Sequence, residues 1–373
     1  MKICFITATR AEYGLLKPLI KKIQMNDYFE LKMIVTGMHL SSEFGLTFKQ
    51  IEEDGFKINE KVEALLSSDT AIGVAKSMGL TTIGFADAFA RLEPDLIVIL
   101  GDRFEMLAVA QVALVMQIPI AHIHGGECTF GAYDDAIRHS ITKMATWHFT
   151  STEMHRKRVI QLGEHPDRVW NVGAIGIENT KKLQLISKED IYRDLGLNIE
   201  LQTMLITYHP ETVDNENGIT ELINALSEFT QFNLVFTKAN ADNGGRYINQ
   251  IIQEFVQTHK NAFLFDALGQ LKYLSMVQAS SVVIGNSSSA LIEVPYLHTP
   301  AVNIGTRQAG REKPDCVFDS QPNKEAIING IEKALTFKGP FNEIFGDGNT
   351  SDKIIEILSN LTQTKVEKGF YDL

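Results

Sequence analysis

LIVILGDRFE at residues 96–105 and IPIAHIHGGECTFGAYDDAIRH at residues 118–139 decide the fold of this chain. Two apolar runs, rich in β-branched residues, each stop at a polar cluster. The first cluster holds Asp102, Arg103 and Glu105, and the second holds His122, His124, Glu127, Asp134 and Asp135. The stretch between them, 104–116, has a helical pattern. Strands apolar on both faces, joined by helices, belong to a parallel sheet covered on both sides. In such a sheet the C-terminal strand ends share one rim, where ligands bind. Carboxylates gathered there perturb one another and can divide acid and base duties.

Outward from this stretch the alternation continues. Candidate strands lie at 3–7, 31–36 and 147–150, with helical patterns at 12–24, 68–91 and 134–145. It restarts near Met204, with candidate strands at 204–207, 233–237, 262–264, 282–284 and 301–304. A chain of 373 residues favours two domains. The reading is α/β, with two Rossmann-like, doubly wound domains facing a cleft. The division falls within 173–197, where GAIGIEN and SKEDIYRDLGLN read equally as linker or helix. We place the first domain at 1–178 and the second at 179–350. Residues 351–373 begin with an amphipathic helix at 351–361 and are expected to return to the first domain.

A net charge of −11 argues against a nucleic-acid partner. A basic rim can still hold a nucleotide, because local charge dominates at short range. Cys4, Cys128 and Cys316 have neither metal-type spacing nor an even disulfide framework, which fits a reducing cytoplasm. MKICFITATR is charged too early for a signal peptide and reads as a buried first strand. No apolar run is long enough to span a bilayer.

Eight strand ends lead into reactive residues: Arg10 and Glu12, His39, Asp102, Glu127, His209 with Glu211 and Thr212, Lys238 to Asn240, Asn286 to Ser289, and Arg307. In GNSSSALIEVP, a strand, a glycine and serines precede a helical pattern. Backbone N–H groups at a helix start, with Ser287, Ser288 and Ser289, make an anion site; the bland alternative is a serine cap. Glu293, further on, could accept two ribose hydroxyls or be a surface ion-pair residue. Arg10, Arg307 and Arg311 are candidate phosphate clamps, since guanidinium groups bind such oxygens bidentately. Tyr273 could stack on a base or pack in a core. His209 could touch a phosphate or act as an acid. There is no G-x-G-x-x-G after the first strand and no P-loop motif. His122 and His124 could ligate a metal, but one of the two reads more readily as a core histidine, so no metal site is expected from that pair.

TATRAEYGLL, VTGMHLSSEFG, LGDRFE, HIHGGECTFGAYDDAIRHSITKM, STEMHRKRVIQLGE, HPET, GNSSSALIEVP and NIGTRQAGR together cover most of residues 1–311. In this order they resemble the hydrolysing UDP-N-acetylglucosamine 2-epimerases of bacterial sialic acid synthesis. The resemblance implies a GT-B arrangement of two Rossmann-like domains. It implies anti elimination of UDP to 2-acetamidoglucal, then hydration to N-acetylmannosamine. It also implies no cofactor, a cytoplasmic homo-oligomer (dimer or tetramer), and UDP-N-acetylglucosamine and UDP as ligands.

Carried over by motif, Asp102, Glu127 and Asp134 are the catalytic carboxylates. Asp102 assists charge development or proton transfer, and the order in which Glu127 and Asp134 act stays open. Asp135 reads as a helix-start carboxylate. His209 matches a functional histidine near the phosphates. Arg10, Ser288, Ser289 and Glu293 match diphosphate contacts, and His39, Tyr273, Asn286, Ser287, Arg307 and Arg311 complete the expected substrate-binding set. The rival readings are a hydrolysing epimerase of UDP-2,4-diacetamido-2,4,6-trideoxy-glucose in legionaminic acid synthesis, a non-hydrolysing epimerase, a glycosyltransferase of the same fold, and a non-catalytic sugar-nucleotide sensor.

Overall fold

The computed structural model describes residues 1–66, 70–130, 133–210, 218–238, 245–266, 268–361 and 367–373. The expected rim residues Glu211, Thr212, Ala239 and Asn240 lie outside that set, as does Ser68. The chain divides into two units, Met1–Asn179 with Phe345–Leu373, and Thr180–Ile344.

In the first unit the described strands are β1 (Lys2–Thr7), β2 (Glu30–Thr36), β3 (Glu60–Val62), β4 (Leu96–Leu100), β5 (Ile120–Ile123), β6 (Trp147–Thr150) and β7 (Val169–Asn171). They form one parallel sheet of order β3-β2-β1-β4-β5-β6-β7. The second unit has β8 (Gln202–Thr207), β9 (Phe232–Thr237), β10 (Ala262–Phe265), β11 (Val282–Gly285), β12 (Ala301–Ile304) and β13 (Val317–Ser320), in the parallel order β10-β9-β8-β11-β12-β13. In each sheet the chain runs out to one edge and then restarts on the other side of its first strand. The switch points therefore fall between β1 and β4 and between β8 and β11, where ligand crevices open in doubly wound folds.

Alternation along β1 explains why helices cover both faces. Ile3 and Phe5 join one core with Leu16, Leu19, Ile20 and Ile23, whereas Cys4 and Ile6 join the opposite core with Phe85, Phe89, Val109 and Ala113. In β8, Met204 and Ile206 face one core and Leu205 the other. Helix Arg10–Gln24 starts with a capping box in which Thr9 Oγ1 accepts from the Glu12 N–H and the Glu12 carboxylate accepts from the Thr9 N–H. Pro18 inside that helix cannot donate to the Gly14 carbonyl, and Asn179 Nδ2 donates to it instead at 2.9 Å.

The helix Thr350–Ser359 buries Ile354 and Leu358 in the first unit's core. Glu178 accepts from the Ser351 N–H at 2.8 Å, and Lys22 pairs with both Glu178 and Asp352. The return begins earlier, at Phe345, whose carbonyl accepts from the Ala174 N–H at 2.7 Å. Among the described residues no helix is long and apolar enough to cross a membrane, and all three cysteines are free and buried.

Candidate functional site

At the first unit's rim, β4 ends at Leu100 and leads through Gly101 to Asp102, which is partly buried. The neighbouring charges are occupied: the Arg103 guanidinium forks onto the buried Glu105 at 2.9 and 3.1 Å. At the end of β5, His122 is a core histidine. Its Nε2 meets the Gly101 carbonyl at 2.8 Å, and burial pushes its pKa down to about 3.

His124 is left-handed, with φ +66°, an uncommon conformation for a non-glycine residue. Its Nε2 accepts from the Ile175 N–H at 3.2 Å, so in the neutral ring the proton sits on Nδ1, 3.3 Å from Glu127 Oε1. Ser151 Oγ donates to the same oxygen at 3.0 Å. With that proton committed, His155 Nδ1 must donate to Ser151 Oγ at 2.8 Å. Burial keeps His155 neutral, with a pKa lowered to about 4. Gly126 permits this approach, because a Cβ there would lie 2.4 Å from the His155 carbonyl oxygen.

Helix Tyr133–Met144 brings Asp134, Asp135 and Arg138 to the same rim. Arg138 is 4% exposed. Its guanidinium pairs with the Asp102 carboxylate, donates to the Glu127 carbonyl at 2.8 Å, and reaches Asp135 Oδ1 and Thr129 Oγ1 at 3.3 Å each. Asp135 also accepts from the Thr129 N–H at 2.7 Å, so it fixes the loop. Burial and then the Asp102 charge raise the Asp134 pKa, opposed by Arg138 and Arg103. Arg138, a residue the motif reading did not select, thus ties the Asp102 carboxylate to the Glu127 backbone, and its charge also acts on Asp134.

Two expected contacts on the first unit need restating. Arg10 is exposed at the start of helix Arg10–Gln24. His39 is fully buried, with its ring between Thr7 Oγ1 at 3.0 Å and Thr47 Oγ1 at 2.8 Å. The short 3-10 turn Gly37–Leu40 rotates it inward. Both ring nitrogens are used, so His39 braces the end of β1 instead of touching a ligand.

On the second unit, Gly285 closes β11 with φ +146°, and a Cβ there would lie 1.8 Å from the Thr207 carbonyl oxygen. That close approach lets the Asn286 amide clamp the His209 backbone, accepting from its N–H at 2.8 Å and donating to its carbonyl at 2.9 Å. Asn286 is fully buried, and its side chain positions His209 instead of meeting substrate, which corrects the expectation. The helix start expected as an anion cradle is a 3-10 turn. Ser287 caps a 3-10 turn, Ser288–Ala290, by accepting from the Ser289 N–H, and the following helix is only Glu293–Tyr296. Four residues give little helix dipole, so what remains is hydroxyl chemistry.

Tyr273 faces Ser289, Thr207 and Glu293. Burial, then the Glu293 charge, push its phenol up to about 12, opposed by the nearby Ser289 and Thr207 hydroxyls. Burial also raises Glu293. Arg307 is exposed and donates to the Asn286 carbonyl at 3.1 Å, and Gln308 donates to the same oxygen at 2.8 Å. Arg311 lines a 280 Å³ pocket with Asn303, Thr306, Gln308 and Ser320.

These features define a doubly wound α/β protein with a carboxylate cluster at the switch-point rim of one unit and a hydroxyl-rich rim on the other. Residues 21–359 match the UDP-N-acetylglucosamine 2-epimerase family, and the chain belongs to it. It is 46% identical to the GDP/UDP-N,N'-diacetylbacillosamine 2-epimerase (hydrolyzing) of Campylobacter jejuni, over 90% of this chain and 86% of that protein. It is 36% identical to the polysialic acid biosynthesis protein P7 of Escherichia coli, over 100% and 97%. Its fold matches the crystal structure of UDP-GlcNAc 2-epimerase from Neisseria meningitidis bound to UDP-GlcNAc with a TM-score of 0.78, at 18% identity, over 97% of this chain and 100% of that one.

Proposed function

We propose that the chain is a hydrolysing 2-epimerase of a UDP-activated 2-acetamido sugar. The observation that carries this reading is the set of carboxylates at the first unit's rim, with Asp102 ion-paired to Arg138, Glu127 facing the Ser151 and His124 donors, and Asp134 shifted toward its protonated form. The hydrogen on carbon 2 of a pyranose is not acidic. It becomes so when the bond from carbon 1 to the diphosphate oxygen breaks and its electron pair leaves with UDP. One carboxylate then takes that proton, giving the 2-acetamidoglucal. Hydration adds hydroxide at carbon 1 and a proton at carbon 2 from the opposite face, releasing the free epimer.

Inversion needs two groups, one for each face. Glu127, with donors on Oε1, suits proton removal. Asp134 suits proton delivery. Arg138 holds Asp102 where positive charge develops on the sugar. His209, Ser288, Ser289, Glu293, Tyr273 and the arginines Arg10, Arg307 and Arg311 are proposed to recognise the nucleotide diphosphate.

Two sugars suit this chemistry. The motif resemblance favours UDP-N-acetylglucosamine, giving N-acetylmannosamine for sialic acid synthesis, and the likeness to protein P7 supports it. The higher identity to the Campylobacter enzyme favours UDP-2,4-diacetamido-2,4,6-trideoxy-glucose, which we take as the first substrate to test. Proton NMR in deuterated water with each sugar nucleotide, and no acceptor, tests the proposal. Free UDP and a 2-epimer deuterated at carbon 2 are the expected products. An epimer still carrying UDP would show a non-hydrolysing enzyme, and inertness toward both sugars would overturn the reading.

A further inference from the structure

We propose that Cys128, Asp135 and His139 form a binding site for one thiophilic divalent cation of the zinc class. One donor atom from each side chain lies within 4.8 Å of the other two. Asp135 and His139 stand one turn apart on helix Tyr133–Met144, so they share a face. Cys128 comes from the loop after β5, as a free thiol only 8% exposed.

The supporting contacts orient this set. Asp135 Oδ1 is held by the Thr129 N–H and Arg138, and Oδ2 is turned to His139, 3.4 Å from its Nε2. That is the kind of outer hydrogen bonding that fixes a ligating carboxylate. Among the described residues His139 Nδ1 is buried with no hydrogen-bond partner, which is costly for an imidazole nitrogen unless something else occupies it.

A thiolate, a carboxylate and an imidazole supply sulfur, oxygen and nitrogen donors. Their two negative charges balance a divalent ion, and a tetrahedral centre would keep one position for water. On binding, the Cys128 thiol gives its proton to solvent as the sulfur–metal bond forms. The ion would fasten the loop that carries Glu127 to the helix that carries Asp134. Sequence spacing conceals the set, because a lone cysteine and an Asp-x-x-x-His pair match no zinc motif.

The test is optical titration of chelator-treated, full-length protein with Co²⁺, followed by displacement with Zn²⁺. The expected result is one Co²⁺ per chain with a thiolate-to-metal charge-transfer band in the near ultraviolet. That band should disappear in Cys128→Ser, and affinity should fall by at least about tenfold in His139→Asn. Unchanged melting of the metal-free variants shows that they fold. No band in the unaltered protein, or a band that survives Cys128→Ser, would overturn the proposal.

Discussion

At Arg138 one buried guanidinium touches Asp102, Asp135, Thr129 and the Glu127 carbonyl. Removing it leaves Asp102 without its counter-ion and takes one donor from each of three further oxygen atoms. We expect Arg138→Ala to cost about 3 kcal/mol of stability, read from urea unfolding. We expect Arg138→Lys to fold but lose turnover, since an ammonium cannot fork to several oxygens. Asp102→Asn, Glu127→Gln and Asp134→Asn should each keep the fold and UDP binding by calorimetry, while turnover falls by about a hundredfold or more. Normal turnover in all three would refute the site. The carboxylates were legible because they stand where apolar runs stop. Arg138 was not, because an arginine in an amphipathic helix reads as solvent-facing. Its signal is its position between Ile137 and Ile141, both buried, on a face where a charge needs partners. His39 and Asn286 misled for the converse reason: polar residues at a strand end look outward-facing until the turn geometry rotates them in.

Among elements, the end of β11 carries the most specific demand. A Cβ at Gly285 would drive into the Thr207 carbonyl, so Gly285→Ala should push β11 away from β8 and release the Asn286 clamp on His209. The expected outcome is a lower melting temperature with UDP affinity reduced at least about tenfold, measured by calorimetric titration. UDP affinity equal to the unaltered protein would show that the clamp has no part in nucleotide binding. Central strands such as Leu96–Leu100 and Ala301–Ile304 were readable as unbroken apolar runs. Strands β3, β7 and β13 escaped notice because they lie at sheet edges, span three or four residues and bury no more than half their positions. The short helix Glu293–Tyr296 escaped too, since GNSSSALIEVP has helical composition while Pro295 and the 3-10 turn before it restrict its length.

Across the whole molecule, the two units should respond differently to acid. His39, His122 and His155 in the first unit have pKa values lowered by burial to about 4, 3 and 4. Their unfolded forms titrate near 6.5, so the stability they contribute is complete above that pH and is lost as pH falls toward 4. Glu164 is held near 2 by His148 and two lysines despite the opposing effect of burial, and it adds a loss below about 4.5. Glu12, raised to about 7 by burial, acts oppositely: its contribution is present below about 4.5 and is lost as pH rises through 7. Three histidines outweigh one carboxyl, so the first unit's calorimetric transition should move down steadily from pH 6.5 to 4. A flat midpoint across that range would contradict the burial of these rings. The closing helix has a further consequence, for synthesis. Every strand of the second unit's sheet lies within one continuous stretch, whereas the first unit lacks Ile354 and Leu358 until residues 345–373 have emerged. A ribosome therefore delivers all of the second unit before the first can close, and a nascent chain halted at residue 344 would carry a finished second unit on an unfinished first.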